Sequence, residues 1–338
     1  MNKKKIFLVL LTLVLLVGIF VAYKFFGATV RQPADKYLYV PTGTDYPALK
    51  KILLENKVIG SETWFDWTSR MVGYKNVKAG RYEIPKGMSL LYLVRMLRNG
   101  SQKPVDFIIT KLRTKESLAG KIGRAFECDS TEMISFLNSP DSLSRYGLDT
   151  NTVMAAVMPL TYTVRWNSGA SAIFQHFYQA YKTFWNTTRK QKATALGLDP
   201  QQVVTLASII DEETNAPSDK PQIASTYLNR ISTGMPLQAD PTVKFALKNF
   251  ALTRIRSGHT STISPYNTYI NRGLPPGPIC TPQESTIDSV LNAPKTNYLY
   301  FVANSDLKAK THIFTTNYAD HLRYARLYQE ELNKRNIK

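Results

Sequence analysis

Leu206-Ala207-Ser208-Ile209-Ile210-Asp211-Glu212-Glu213-Thr214 carries an apolar helical pattern straight into three consecutive acids. The helix it ends begins at Asp199 or Pro200, with proline in the first turn, where its missing N–H is not needed. At the helical period Val203, Leu206, Ala207 and Ile210 share one face. Glu213 falls three positions beyond Ile210, at the edge of that face. Asp211 takes the other shoulder and Glu212 points away. The spacing therefore ranks Glu213 and Asp211 above Glu212 for a cleft without separating the two. A carboxyl at a helix-to-loop junction, half against an apolar wall, has a raised pKa and acts as a general acid near neutral pH. Acids at helix ends commonly face solvent instead, so the weight falls on the residues downstream of Thr214.

Three polar and aromatic blocks lie there. They are Pro236-Leu237-Gln238-Ala239-Asp240-Pro241-Thr242, then Ser264-Pro265-Tyr266-Asn267-Thr268-Tyr269 with Gly273-Leu274-Pro275-Pro276-Gly277-Pro278-Ile279, then Tyr298 to Val302 with His312 to Asn317. Paired prolines flanked by glycines fix a rigid loop. Amides, hydroxyls and tyrosines on fixed loops suit a carbohydrate, whose hydroxyls take paired hydrogen bonds while a ring face stacks. Each block alone also reads as ordinary turn chemistry; the combination after an acid cluster is what carries weight.

Working back toward the N-terminus, Ser171 to Asn186 reads as an aromatic-rich helix. Met158 to Val164 reads as a loop entering a strand, and Val105 to Ile109 as a strand. An earlier compact region starts with a strand at Tyr37–Val40 and a helix capped near Asp45. It continues with a helix carrying Trp64, Phe65 and Trp67, a short strand at Gly80–Ile84, and a helix from Ser89 with Leu90, Leu93, Val94 and Leu97 on one face. Trp64 and Trp67 offer faces for stacking on sugars, but the core is the favoured place for both, since aromatics dominate small cores. Before this lies Lys3-Lys4-Lys5 and an apolar run from Ile6 to Tyr23, long enough to cross a bilayer. Basic residues on the short side predict a cytoplasmic N-terminus, with everything after about residue 30 outside. A retained anchor is favoured over a cleaved signal, because Phe26-Gly27-Ala28 makes a poor cleavage site.

The chain carries 43 Lys and Arg against 25 Asp and Glu, a net charge of +18. Such a balance draws nucleic acid, anionic lipid or an anionic polymer. No long basic run or nucleic-acid motif is present, and an exported domain does not meet nucleic acid, so a membrane or cell-wall polymer is the expected partner. Cys128 and Cys280, with His176, His259, His312 and His321, fall in no metal-ligand spacing. No phosphate-cradling glycine loop occurs. No cofactor and no metal are expected.

The acid cluster, Leu237 to Thr242, Tyr266-Asn267-Thr268-Tyr269, Gly273 to Ile279 and Phe314-Thr315-Thr316-Asn317 together closely resemble the endolytic murein transglycosylase family, also called MltG-like or YceG-like. Val77-Lys78-Ala79-Gly80-Arg81-Tyr82 is similar to the end of that family's LysM-like part. The resemblance implies an α+β chain: an N-terminal transmembrane helix (1–30), a small LysM-like α+β domain (37–102) and a mixed α+β catalytic domain (105–338) with a lytic-transglycosylase-type active site. It implies Glu213, the Glu directly before Thr, as the catalytic acid. The expected substrate-facing set is Asp211, Gln238, Asp240, Thr242, Tyr266, Asn267, Thr268, Tyr269 and Asn317. The chain departs from the family's usual pattern at Asp211, where a Glu is common, at Leu160, and in Ile108-Ile109-Thr110-Lys111-Leu112, where a Glu-Gly turn is usual.

The implied reaction cleaves the bond from N-acetylmuramic acid to N-acetylglucosamine within glycan strands. Glu213 protonates the glycosidic oxygen, then as carboxylate accepts the proton of the muramyl 6-hydroxyl, which closes a 1,6-anhydro ring without water. Implied partners are peptidoglycan glycan strands and peptidoglycan synthases (penicillin-binding proteins) in the same membrane. Two readings stay open. One is a hydrolytic muramidase using Asp211 or Asp240 as a second carboxylate, roughly 5 Å or 6.5–9.5 Å away. The other is a wall-binding anchor without catalysis.

Overall fold

The computed structural model describes residues 3–334 of the chain. It is a mixed α+β structure, mostly helical with small two-stranded sheets. The chain divides into two compact units, residues 1–106 with 124–128 and 163–169, and residues 107–123, 129–162 and 170–338.

The first unit opens with one apolar helix, Lys3–Phe26, which has no buried residue. Its 24 residues span about 36 Å at the helical rise, more than the roughly 30 Å hydrocarbon core of a bilayer. Such a helix is consistent with a single-pass anchor or a signal sequence. Strand Tyr37–Val40 then pairs antiparallel with Gly80–Glu83, in a register that sets Leu38 opposite Tyr82. Alternation sends Leu38, Val40 and Tyr82 inward, where they meet Leu49, Leu53, Phe65, Leu93, Val94 and Leu97 from three helices. Those helices stop and start by local chemistry. The Asp45 carboxylate accepts from Ala48 N at 2.8 Å, and Ser89 from Tyr92 N at 3.3 Å. Gly73 and Gly100 end helices in the left-handed conformation that glycine adopts without strain. The core aromatic of Glu62–Val72 is Phe65; Trp64 only flanks the core and Trp67 is exposed, contrary to the expectation for both.

The second unit is built around helix Pro200–Glu213. Asp199 and Gln202 form a reciprocal capping box at its start. Every residue from Val203 to Asp211 is buried, so the single apolar face expected from the sequence becomes an all-round interior position. Helices Thr187–Ala195, Lys220–Ser232, Asp240–Ala246 and Glu284–Leu291 pack against it. Its interior hydroxyls are satisfied locally. Thr205 donates to Gln201 O, and Ser208 donates to Thr205 O while accepting from Ile279 N at 3.0 Å. That last bond fixes the end of the proline-rich loop. Gly277 in the same loop sits so close to the Asn151 carbonyl that a Cβ there would overlap it. A hairpin, Tyr300–Ala303 with His312–Thr315, carries the terminal helix Tyr318–Lys334 on it.

Candidate active site

Glu213 is the last residue of the central helix, where the chain turns extended at Thr214. The apolar body of the helix therefore ends under its side chain, and the side chain emerges into a cavity of about 300 Å³. Tyr227, Arg230, Gln238, Asp240, Tyr269 and His321 line the same cavity, with Leu237 and Phe301 supplying apolar wall. The Tyr227 hydroxyl donates to Glu213 Oε1 at 2.7 Å. Burial pushes the Glu213 carboxyl up to about 7, against the Tyr227 hydrogen bond and with help from the nearby Asp240 charge. Burial and the facing Glu213 hold Tyr227 well above the usual phenol range, so it stays a donor.

The supports come from neighbouring elements. Arg230, one helical turn after Tyr227, donates to Leu237 O and to Leu299 O, each at 2.7 Å. It thereby ties the Gln238 loop and the hairpin to helix Lys220–Ser232. Tyr269 donates to Asp240 Oδ1 at 2.6 Å, which aims that carboxylate. Gln238 takes a left-handed backbone, φ 52°, with its N–H on Thr268 O at 3.0 Å. A non-glycine residue in that region is strained, and such strain concentrates where a loop must present a group to a site.

Of the residues expected to face substrate, Gln238, Asp240 and Tyr269 share the cavity with Glu213. The others lie elsewhere. Asp211 is buried under Lys220 Nζ at 2.7 Å, the Thr286 hydroxyl at 2.6 Å and Lys111 Nζ at 3.0 Å. Burial raises its carboxyl, but the Lys220 and Thr286 hydrogen bonds and the Lys111 charge outweigh this and hold it below the usual aspartate range. It is a structural ion-pair centre outside the cavity lining. The Lys111 ammonium reaches both Asp211 and Glu212. Glu212, expected to point away from the cleft, lines neither cavity beside Glu213 and is paired with Arg113 at 2.8 Å.

Thr242 and Thr268 are buried and bonded to each other at 2.9 Å. Asn267 is buried, donating to Thr260 O and Thr262 O and accepting from Tyr269 N. These three hold the loop that delivers Tyr269. Tyr266 packs on Phe245, and Asn317 is an exposed cap that accepts from Asp320 N. Sequence reasoning missed Tyr227, Arg230 and His321; Phe301 lies within the Tyr298 to Val302 block but was not singled out. The first two were visible as polar residues spaced i, i+3 on one helix, the same side as the buried Ile223.

A second cavity, about 440 Å³, also reaches Glu213, lined by Asn215, Asn304, Lys310, His312 and Tyr328 among others. Among the described residues, Glu213 is the one that lines both cavities.

The raised Glu213 carboxyl has a consequence for stability. A raised carboxyl favours the folded state below its unfolded value near 4.5, and that contribution is lost as pH climbs to about 7. Glu213→Gln should therefore flatten this part of the stability–pH curve and gain on the wild type at pH 8. Urea midpoints measured from pH 4 to 8 check this; parallel curves for the two proteins would count against it.

Relatives are found by sequence and by fold. The chain is similar to proteins named endolytic murein transglycosylase from Bacillus subtilis, 27% identical over 92% of this chain and 91% of that one. A Streptococcus pneumoniae protein of the same name is 25% identical over 85% of this chain and 58% of its own longer one. A 2.6 Å crystal structure of a YceG-like protein from Listeria monocytogenes matches with a TM-score of 0.58 and 26% identity, over 85% of this chain and 97% of that one. With the model of the YceG-like family matching residues 38–327 of its 338 residues, the chain belongs to the YceG-like family.

Proposed function

We propose that this protein is a membrane-anchored endolytic lytic transglycosylase. It cleaves the bond from N-acetylmuramic acid to N-acetylglucosamine inside nascent glycan strands, leaves 1,6-anhydro ends and so terminates strand elongation. The observation that carries this is Glu213: a carboxyl raised to about 7, held by Tyr227, standing at the junction of two cavities. Protonated, it donates to the leaving glycosidic oxygen. As carboxylate it then takes the proton of the muramyl 6-hydroxyl, an intramolecular nucleophile of high effective concentration. Gln238 and Tyr269 face the ring from one side, and Phe301 offers an apolar surface to it. The relatives named murein transglycosylases support peptidoglycan as the substrate.

In this reading the helix Lys3–Phe26 is a retained anchor with its N-terminus in the cytoplasm. The LysM-like unit (37–102) holds glycan near the membrane, the catalytic region (105–338) does the chemistry, and membrane synthases are its neighbours. A second reading, hydrolysis by a two-carboxylate muramidase, is favoured by one observation: Asp240 faces the same cavity.

In this reading the enzyme acts within strands. Long, labelled glycan strands should shorten abruptly, with the mean length falling before disaccharides accumulate. Chromatography of a digestion time course reads this out. Release of disaccharides from the first time point, with the remaining strands still long, would contradict the endolytic assignment.

A further inference from the structure

The cavity beyond Glu213 that the reaction chemistry leaves unused has a distinct character. Lys310 lies on its wall, exposed, with a left-handed backbone at φ 50°. Among the described residues it makes no ion pair. The neighbouring acid Asp306 is turned into its own loop, accepting from Lys308 N at 3.0 Å. His312 stands at the start of the second hairpin strand. Both its Nδ1 and its backbone N lie 2.8 Å from Oδ2 of the buried Asp219. Against a carboxylate Nδ1 must carry the proton, so Asp219 fixes the ring and leaves Nε2 to bond elsewhere. Asn215 and Asn304 add amides to the same wall. Among the described residues, Glu213 is the sole carboxyl lining the cavity, so its other polar groups include a cation, an imidazole and two amides. That set complements a carboxylate.

We propose that this cavity is the subsite for the acidic peptide stem of the substrate. Lys310 is the counter-ion to a stem carboxylate, and His312, oriented by Asp219, is a hydrogen-bonding partner. The inference rests on the glycan-cleavage reading above. In that reading the ring losing its glycosidic bond at Glu213 is the muramyl ring, and the same ring carries the stem through its lactyl group. A stem must therefore leave the reacting sugar beside Glu213, and this cavity opens there.

The test uses the full-length protein in detergent and two substrates: glycan strands bearing stems with free carboxylates, and the same strands with those carboxylates converted to amides. The readout is the ratio of kcat/KM on the two. The wild type should favour free carboxylates about tenfold, the size expected of one charge-assisted hydrogen bond, with the difference in KM. Lys310→Ala should bring the ratio toward one, and Lys310→Glu should invert it. His312→Gln should lower it partway. Lys310 is exposed, so its variants will fold. A wild-type ratio of one, or a ratio unchanged in both Lys310 variants while cleavage continues, overturns the stem subsite alone. Failure of the wild type to cleave either strand overturns the parent reading and this proposal with it.

Discussion

Glu213→Gln should lower glycan cleavage by roughly 100- to 10,000-fold, the range typical of losing a general acid–base group, with the fold intact. The amide keeps the shape, and its oxygen still accepts from Tyr227, so the 2.7 Å bond has a successor. What it lacks is a transferable proton. The same requirement sets the pH dependence of the wild type. The first step needs Glu213 protonated, so the rate should fall as pH rises through about 7. Initial rates on purified strands, with circular dichroism as the folding check, test both statements. A Glu213→Gln protein free of wild-type enzyme that cleaves at a near-normal rate would remove Glu213 from the chemistry.

Asp211→Ala should act on stability rather than on the reaction. Its carboxylate compensates Lys220, whose side chain is 9% exposed, and also meets Lys111. Removing one member of a buried pair leaves the other charge uncompensated and typically costs about 3–5 kcal/mol. A melting temperature lower by on the order of 10 °C is the expected result. Asp211→Asn should fall between the two, because the amide can still accept from Thr286. The low carboxyl adds a pH signature. Its stabilising contribution is complete above the unfolded value of 3.8 and is lost as pH falls through the depressed folded one. Folded Asp211→Asn should keep most of its activity per folded molecule. Selective loss of activity at unchanged melting temperature would place Asp211 in the reaction after all.

The contrast between these two neighbouring acids marks how far sequence reading reaches. The central helix was legible because its start is written in local chemistry, Asp199 and Pro200, and its end in the run of acids. The strands Tyr37–Val40 and Gly80–Glu83 were each legible from alternation and bounding turns, while their antiparallel pairing comes from the structure. What the helical period does not encode is how many neighbours a helix has. Pro200–Glu213 is surrounded, so both of its shoulders face protein, and only its C-terminal residue opens into a cavity. Asp211 was therefore grouped with Glu213 on angle alone, while its lysine partners come from residues 111 and 220. The same limit applies to Thr242, Asn267 and Thr268. Polar residues on loops look ligand-facing in sequence, yet these spend their hydrogen bonds on each other and on the backbone. Tyr227 and Arg230 went unseen for the converse reason. Residues 220–232 carry none of the polar and aromatic blocks, and only the fold brings the polar edge of this helix to Glu213.

A single carboxyl, in the proposed mechanism, runs the reaction with the sugar's own hydroxyl as nucleophile. Cleaving purified strands in heavy-oxygen water and weighing the new muramyl ends by mass spectrometry separates this from hydrolysis. Anhydro ends without heavy oxygen are predicted, in the wild type and in whatever activity survives in Asp240→Asn. Reducing muramyl ends carrying heavy oxygen would contradict it, and their loss in Asp240→Asn would identify Asp240 as the partner of a hydrolytic pair.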